Sequence, residues 1–420
     1  MDIGLISRQY SEYVTEATSD ELTIIVSEKY AQHALQITRW QLKLLGIWPL
    51  SLKSSLFDRI LTNFIIMICL FLLMFIIVPG CLFTYVKVED LNVRIKLTGA
   101  LSFCVMAIIK YCSLLSKRQD INNCVNHLIY DWKKITSIND RTIMINSAEF
   151  GRWGSIICAI FMYSGGIFYA VILPCVSPTV QNDQNVTIKP LAYPSYYVWF
   201  EPQENVTYVI IFLLHCCCAI VMHSVTSTTC SVAVVFAMHA CGQLKIVTSP
   251  LKNLINRTST KYQQLDEILP DIIRHHTSTL RFIENIEKIL NQICLVEVGG
   301  CTLNICFLGY YFLMEWEDND AIGIMTYTIL LMSFTFNIFL FCYIGDLLTD
   351  ECRKVGDSTY MINWYKIPSK NLRQLLLVFM TAQNPVTITA GKFIDLSLKN
   401  FCTVIRTAVA YLNFLRKFME

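Results

Sequence analysis

The chain has 420 residues, of which 54% are hydrophobic and only 16% are charged, and its formal net charge is +2. Soluble domains are roughly 25% charged, so a water-exposed surface is hard to build from this composition. A nearly neutral chain also offers no basis for binding nucleic acid. The composition predicts a membrane protein, whose 18 cysteines, mostly within apolar runs, are expected to be buried thiols.

Segments long enough to cross a bilayer recur along the chain. A helix needs about 20 apolar residues to span the hydrocarbon core, and seven segments approach this length: 60–84, 93–115, 153–175, 208–240, 293–313, 322–345 and 388–415. The fourth remains helix-like beyond what a bilayer needs, the fifth is interrupted by Glu297, and the last is the least apolar. The sequence therefore predicts an all-α membrane protein with seven transmembrane helices.

The intervening segments complete the predicted organisation. We expect no cleavable signal, because the first apolar span follows a long polar region. The predicted parts are an N-terminal cytoplasmic region (1–58), helices one to four (59–240) with an extracellular loop (176–206), a cytoplasmic anchor extension (241–290), helices five and six (291–346), a second cytoplasmic anchor segment (347–387), helix seven (388–415) and an extracellular tail (416–420).

Basic residues predict the orientation, because cytoplasmic loops are richer in Lys and Arg than outer loops. The N-terminal region and the segments after the second, fourth and sixth spans are rich in both, whereas the alternate side carries Lys87, Lys189, Arg416 and Lys417. The glycosylation sequons at Asn185 and Asn205 fall in the predicted outer loop. We therefore expect a cytoplasmic N-terminus, an extracellular C-terminus and an unmodified third sequon at Asn256.

Topology argues against a G-protein-coupled receptor, and the lack of catalytic motifs argues against an enzyme. G-protein-coupled receptors have an extracellular N-terminus, whereas the N-terminus is predicted to be cytoplasmic here. The sequence also lacks hydrolase, metalloprotease and phosphate-loop motifs. His215, Cys216–Cys218 and His223 resemble metal ligands but lack the paired spacing of zinc sites. We interpret them as polar positions on a packed or cavity-lining helix, and expect His275 and His276 to be solvated. Neither a metal nor a cofactor is predicted.

A polar stripe distinguishes the last predicted span. If 392–418 is one helix, eight positions fall within an arc of about 80°: Lys392, Asp395, Lys399, Thr403, Arg406, Ala410, Asn413 and Lys417. An ionisable group facing lipid costs at least about 2.5–3.5 kcal/mol at the bilayer centre. The stripe must therefore face water, as in a pore shared by several subunits, or be buried in protein, as in an Asp395–Lys399 ion pair.

The C-terminal third of the chain resembles the insect odorant receptor family. The resemblance lies in FLFCYIGDLLTDE (339–351), INWYKIP (362–368), LLLVFMTAQNPVTITAGKFIDLSL (375–398) and AVAYLNFL (408–415), and more weakly in SGGIFYAVILP (164–174). Tyr411 and Phe418 also keep a spacing found in the sister gustatory family, but Ala410 and Lys417 depart from that motif, and the AGKF run favours the odorant branch.

The resemblance implies a cation channel opened by small volatile ligands, which forms a heterotetramer with a shared co-receptor. It implies a lipid-embedded protein in the plasma membrane of sensory neuron dendrites, with two cytoplasmic segments as an intersubunit anchor. The last helix would line the pore, with gate positions at Phe414, Lys417 and Phe418. The co-receptor pattern has smaller aliphatic residues at the two Phe positions and an amide at the Lys position. Lys417 in the mouth of the pore would repel cations, so permeation is expected to depend mainly on the partner subunits. Lys399 occupies a position that is often acidic in relatives, so this subunit is not expected to set the cation preference.

The resemblance also implies a ligand cavity in the outer halves of the second to sixth helices. Helical spacing within those halves selects the candidate contacts Met162, Gly165, Tyr169, Tyr208, Phe212, His215, Ile305, Leu308, Tyr327 and Leu331. Leu101 and Phe103 of the second helix are weaker candidates. Gly165 has a second interpretation, the close approach of two helices. Trp364 and Tyr365 are equally compatible with an interface and with the membrane surface.

Two alternatives remain from the sequence. One is a gustatory-type channel that forms homotetramers, and the other is a non-channel seven-helix receptor that signals through a cytoplasmic partner.

Overall fold

The computed structural model describes residues 19–49, 55–177, 180–181, 187–197, 203–255 and 265–419. Its helices are α1 (Ser19–Leu44), α2 (Leu56–Leu82), α3 (Leu91–Ser116), α4 (Arg118–Lys134), α5 (Ile138–Ile167), α6 (Leu173–Val176), α7 (Asn205–Ile255), α8 (Leu265–Glu317), α9 (Ala321–Tyr360), α10 (Ser369–Gln383) and α11 (Leu398–Met419). Two π-helical turns, Phe83–Lys87 and Phe168–Ile172, extend α2 and α5, and a 3₁₀ turn covers Trp364–Lys366. Two short antiparallel hairpins pair β1 (Val180–Gln181) with β2 (Thr187–Ile188) and β3 (Thr389–Ala390) with β4 (Ile394–Asp395).

The structure confirms the prediction of an all-α membrane protein. In the described part of the chain, six helices are long and apolar enough to cross a membrane: Leu56–Lys87, Val93–Ser116, Ile138–Val176, Val206–Lys252, Ile268–Glu317 and Ala321–Tyr360. They contain the first six predicted spans. Helix α11 has 22 residues, enough for about 33 Å at 1.5 Å per residue, and its charged residues lower its apolarity. Its passage through the membrane stays a prediction.

Three of these helices are much longer than a bilayer is thick. Helices α7, α8 and α9 have 51, 53 and 40 residues, which correspond to about 76, 80 and 60 Å. The predicted anchor extension at 241–290 is therefore built, where it is described, from continuations of α7 and α8 rather than from separate helices. Helix α10 packs beside α9, where Ala382 lies against Gly356.

The packing of these extensions corrects one prediction. His275 and His276 do not lie on a solvated surface: His276 is buried, and the Nε2 atom of His275 lies 2.5 Å from Oε1 of Gln243 on α7. A polar segment of this kind would be exposed to solvent if its helix had no neighbour. Pairing of α8 with α7 shields this face.

The N-terminal region contains a helix that the span-based reading does not predict. Helix α1 buries Ala31, Leu35 and Leu42 and is joined to α7 by two hydrogen-bonded pairs, Thr38 with Ser231 and Gln41 with Ser227. The helix ends before Gly46, whose φ of 69° is favourable for glycine. Helix α1, which precedes the first span, is thus part of the folded bundle.

The predicted start of the last helix is wrong. Residues 388–397 do not form a helix; β3 and β4 form a hairpin whose turn places Gly391 and Lys392 at φ 64°. A carboxylate of α8 holds the hairpin, because Glu287 accepts hydrogen bonds from the Thr389 amide at 2.8 Å and from its hydroxyl. The amide of Gly391 donates to the Asn291 carbonyl at 3.0 Å. Lys392 and Asp395 therefore do not belong to the helical stripe.

Candidate functional site

A partly open cavity of about 50 Å³ lies among α3, α7, α8, α9 and the π-helical turn that follows α5. Most of its wall is aromatic, and we call it the aromatic cavity. Its lining consists of Lys96, Gly99, Ala100, Phe103, Tyr169, Tyr193, His223, Asn304, Phe307, Leu308, Tyr311, Tyr327, Leu330 and Phe334. This combination of an apolar wall and a few polar groups is typical of a small-molecule site.

Ring contacts hold the wall together. Phe103 lies 5.0 Å from the His223 ring and 5.3 Å from Phe334, measured between centroids. Tyr311 lies 5.5 Å from Tyr327, and the Tyr311 hydroxyl donates to the Ile95 carbonyl. Such contacts, at centroid distances of about 4.5–7 Å, favour tilted and edge-to-face rings. The cavity is thus surrounded by side chains whose positions depend on one another.

Local backbone geometry brings two further tyrosines to the wall. The π-helical turn Phe168–Ile172 contains Tyr169, and π-turns alter the direction of side chains within a helix. Tyr169 contacts Tyr193, from the segment before α7, at a centroid distance of 5.5 Å. The connection between α6 and α7 thus contributes to the cavity together with the membrane helices.

The structure brings some predicted contact residues together and separates others. Tyr169, Leu308 and Tyr327 line the aromatic cavity, as does the weaker candidate Phe103. The remaining candidates are not in the lining: Met162, Gly165, Tyr208, Phe212, His215, Ile305, Leu331 and Leu101.

Four of these candidates have specific neighbours that explain their positions outside the lining. A Cβ atom at Gly165 would lie 2.9 Å from Leu330, so this glycine permits the close approach of α5 and α9. Tyr208 stacks on Phe212 and donates to the Pro190 carbonyl at 2.9 Å. His215 is buried beside Phe75, and its Nε2 atom lies 3.2 Å from the Tyr197 hydroxyl. Helical spacing identifies a face but not the depth at which that face meets the cavity.

Several residues of the cavity lining are not among the contacts that the sequence predicts. Asn304 and His223 are polar residues inside apolar spans, which is a usable signal for a cavity. Phe307 and Tyr311 lie one turn apart and flank the predicted Leu308 on α8. Tyr193 lies in a loop, where periodicity carries no information. In the described part of the chain, no cluster of three or more His, Cys, Asp or Glu side chains could hold a metal ion.

One end of the aromatic cavity carries an ion pair. Lys96 Nζ lies 2.6 Å from Glu315 Oε1, and it lies 5.8 Å from the ring centroid of Tyr327. The Lys96 side chain is 43% exposed and that of Glu315 is 13% exposed. The pair neutralises the lysine charge at the cavity wall.

A second ion pair lies deeper in the bundle, two turns beyond the cavity along both α3 and α8. Lys110 and Glu297 are completely buried and form a salt bridge. Glu297 also accepts hydrogen bonds from the Asn337 side-chain amide and from Cys301 Sγ at 3.2 Å. We call these four residues the buried ionic network, which connects α3, α8 and α9.

Helix α11 has one packed face and one exposed face. Val404 and Ala408 are buried, and Phe401 contacts Phe339 of α9 at 5.5 Å. The opposite side, which we call the exposed polar face, contains Lys399, Thr403, Arg406, Ala410, Asn413 and Lys417.

The alternative of a buried Asp395–Lys399 pair is wrong, since both residues are exposed and no ion pair between described residues includes either. Near the end of α11, Phe414 and Phe418 are 71% and 68% exposed and stack at 6.3 Å. If α11 crosses the membrane, as the sequence predicts, this exposed polar face requires water or another protein chain beside it.

Of the two predicted glycosylation sites, Asn185 lies outside the described residues. Asn205 is the first residue of α7. Asn256 also lies outside the described part.

The chain is similar to proteins of known class. The family model described as 7tm Odorant receptor matches residues 91–409. Odorant receptor 2a of Drosophila melanogaster is 30% identical over 145 residues, which cover 34% of this chain and 36% of that protein. Odorant receptor 13a of the same species is 23% identical over 267 residues, which cover 59% of this chain and 63% of that protein. The chain thus matches less than two thirds of the length of these relatives.

Similarity to a solved structure extends further. The insect olfactory receptor OR5 from Machilis hrabei, in complex with eugenol, superposes with a TM-score of 0.74 at 13% sequence identity. The match covers 94% of this chain and 99% of that chain, and at this identity it establishes the fold alone. The family is one of receptors rather than enzymes. Because the family model spans most of the sequence, the chain belongs to the 7tm Odorant receptor family.

Proposed function

We propose that this odorant receptor is a subunit of a ligand-gated, non-selective cation channel. A small volatile binds in the aromatic cavity, and α11 lines the pore that opens. The exposed polar face of α11 carries this proposal, because charged residues on a membrane helix need water or protein beside them. The packed face of the same helix lies against α8 and α9, so the polar face points away from the subunit's own bundle.

A single helix cannot enclose a pore, so the proposal requires several subunits around an axis. Lys399, Arg406 and Lys417 are exposed and basic, and four identical copies would concentrate positive charge around the pore. Two unit charges 10 Å apart repel each other by about 0.4 kcal/mol even in water, and a permeating cation meets the same repulsion. This charge favours a heterotetramer with a co-receptor subunit that has a less basic pore helix. We place the complex in the plasma membrane of sensory neuron dendrites.

Helix α8 provides a physical connection between the cavity and the pore helix. Its segment from Asn304 to Tyr311 lines the cavity, and Gly309 lies against Leu412 of α11, because a Cβ atom there would lie 2.9 Å from the Leu412 side chain. Farther along, Glu287 holds the hairpin that leads into α11. A ligand that shifts α8 would therefore bias the position of α11 at two points.

Recording from cells that express the chain with a co-receptor tests the proposal. Volatile-evoked cation current that requires both subunits is the expected result. Current from this chain alone would support the gustatory-type homotetramer, and ligand-dependent signalling with no current would support the non-channel receptor. Silence toward every volatile in a broad panel, despite surface expression, would contradict the function proposed here.

Reversing charge on the exposed polar face is expected to raise cation permeation. Arg406→Glu and Lys417→Glu each replace repulsion of a cation by attraction, and we expect a change of about twofold to fivefold in single-channel conductance at low salt. Single-channel recording at two salt concentrations measures this effect. Arg274→Glu, at an exposed position on α8 paired with Asp271, is the control. The control should have the conductance of the wild-type channel. Equal conductance in all three variants would contradict the proposal that α11 lines the pore.

The proposed topology predicts which ends of the chain are accessible. An epitope tag after residue 420 should be labelled on intact cells, whereas a tag at the N-terminus should require permeabilisation. Asn185→Gln and Asn205→Gln should each remove one glycan, visible as an increase in electrophoretic mobility. If the C-terminal tag is labelled only after permeabilisation, the proposed extracellular C-terminus is contradicted.

A further inference from the structure

His223 is an unusual component of the aromatic cavity wall. It belongs to α7, lines the cavity and is only 4% exposed. Its Nδ1 atom is buried without a hydrogen-bond partner among the described residues. A buried polar atom left unpaired is unfavourable, so this imidazole retains unused hydrogen-bonding capacity beside the cavity.

The surrounding packing keeps the ring in this position. Gly166 of α5 leaves room for the imidazole, because a Cβ atom there would lie 2.5 Å from His223 Cδ2. Phe103 covers the ring from α3 at 5.0 Å. Any side chain at position 166 would displace the ring, so the place of His223 at the cavity depends on glycine at that position.

Some of the other polar groups at the cavity already donate hydrogen bonds to backbone carbonyl groups. The Asn304 amide donates to the Gly300 carbonyl at 2.8 Å, and the Tyr311 hydroxyl donates to the Ile95 carbonyl. Tyr169 and Tyr327 bring further hydroxyl groups to the wall. A neutral imidazole has one donor and one acceptor nitrogen, and a tyrosine hydroxyl can also both donate and accept. A ligand hydroxyl group matches this set, because it too donates and accepts.

The charge and shape of the cavity narrow the ligand class further. Glu315 neutralises Lys96, the basic side chain in the lining, so a carboxylate ligand would have to compete with an existing ion pair. The aromatic wall favours a compact apolar body, and a ring above all, through offset and edge-to-face contacts. These features together describe an uncharged molecule with one hydroxyl group.

We propose that the aromatic cavity selects neutral alcohols and phenols, and that His223 is the hydrogen-bond partner of their hydroxyl group. This inference rests on the proposed function, since it names the ligand class of the same cavity.

Matched pairs of volatiles test the inference on the full receptor with its co-receptor. Each pair consists of a hydroxyl compound and its methyl ether, for example phenol with anisole and 2-phenylethanol with its methyl ether, within a panel that also contains esters, ketones and hydrocarbons. We expect the hydroxyl member to activate the wild-type receptor at about tenfold lower concentration, the effect of one net hydrogen bond. His223→Phe should abolish this ratio, and His223→Gln should retain part of it.

His215→Phe is the matched control. His215 lies two turns away on α7, is buried and also has an unpartnered Nδ1 atom, but it does not line the cavity. Its replacement should leave the alcohol-to-ether ratio unchanged.

The outcomes separate this inference from the channel proposal. Equal potency within pairs in the wild-type receptor, an unchanged ratio in His223→Phe, or responses confined to esters, ketones and hydrocarbons would each overturn the inference while the channel proposal stands. Silence toward the whole panel would contradict both. If His223→Phe does not reach the cell surface, the test uses the wild-type receptor and His223→Gln. A lower alcohol-to-ether ratio in His223→Gln than in the wild type supports the inference, and an unchanged ratio overturns it.

Discussion

Glu297→Leu is expected to destabilise the folded receptor by about 3–5 kcal/mol, because it leaves the Lys110 ammonium group buried without its counter-charge. Both residues have no solvent exposure, and Glu297 also accepts hydrogen bonds from Asn337 and Cys301. We expect a large loss of receptor at the cell surface and a strongly reduced melting temperature. Size-exclusion chromatography after heating measures the latter on detergent-solubilised protein.

Two controls separate loss of charge pairing from loss of volume. The double variant Lys110→Met with Glu297→Leu removes both charges and should recover much of the stability, since apolar replacement of a buried pair is often close to neutral. Glu315→Leu breaks the partly exposed pair at the end of the cavity and should cost no more than about 1 kcal/mol. A double variant as unstable as Glu297→Leu would show that packing, and not charge, dominates at this site.

Gly345→Ala is expected to reduce stability by about 1–3 kcal/mol and to impair ligand-evoked current. A Cβ atom at Gly345 of α9 would lie 2.5 Å from the Leu396 carbonyl oxygen and 2.6 Å from its Cβ atom. Leu396 is buried, and its amide donates to the Ile388 carbonyl at 2.9 Å. The substitution must therefore displace the segment that joins the hairpin to α11.

Gly299→Ala provides the opposite expectation. Gly299 lies within α8. Apart from its chain neighbours and its own helical backbone, no heavy atom of the described residues lies within 4 Å of a Cβ atom placed there. Alanine is favoured over glycine in a helix interior by up to about 1 kcal/mol, so a small gain in thermal stability is expected. Melting temperatures and current densities of the two variants, measured side by side, check both expectations. Similar behaviour of the two would contradict the close contact at Gly345.

The exposed polar face illustrates how far periodicity reaches. Lys399, Arg406, Asn413 and Lys417 share an exposed helical face in the structure, as helical spacing predicts. The same spacing fails at Lys392 and Asp395, because contacts with Glu287 and Asn291, about 100 residues earlier, stabilise a hairpin there. A helical wheel contains no information about partners that are distant in sequence.

The cavity illustrates a different limit. Helical spacing in the outer halves of the spans predicts Tyr169, Leu308 and Tyr327 as ligand contacts, and the structure brings these three residues together at one cavity. The sequence marks His223 as a polar position on its helix, but its place at the cavity depends on Gly166 of α5 and Phe103 of α3. Its role as a candidate ligand contact emerges only when those helices are assembled.

The sequence by itself determined the membrane class, the first six spans and the family resemblance, because span length, apolarity and short motifs are local properties of the chain. The tertiary structure decided where α11 begins, which side chains meet in the aromatic cavity and which charges pair inside the bundle. These features depend on the relative depth and rotation of helices that lie far apart in the chain. Packing and desolvation determine that arrangement, and both act between helices rather than within one.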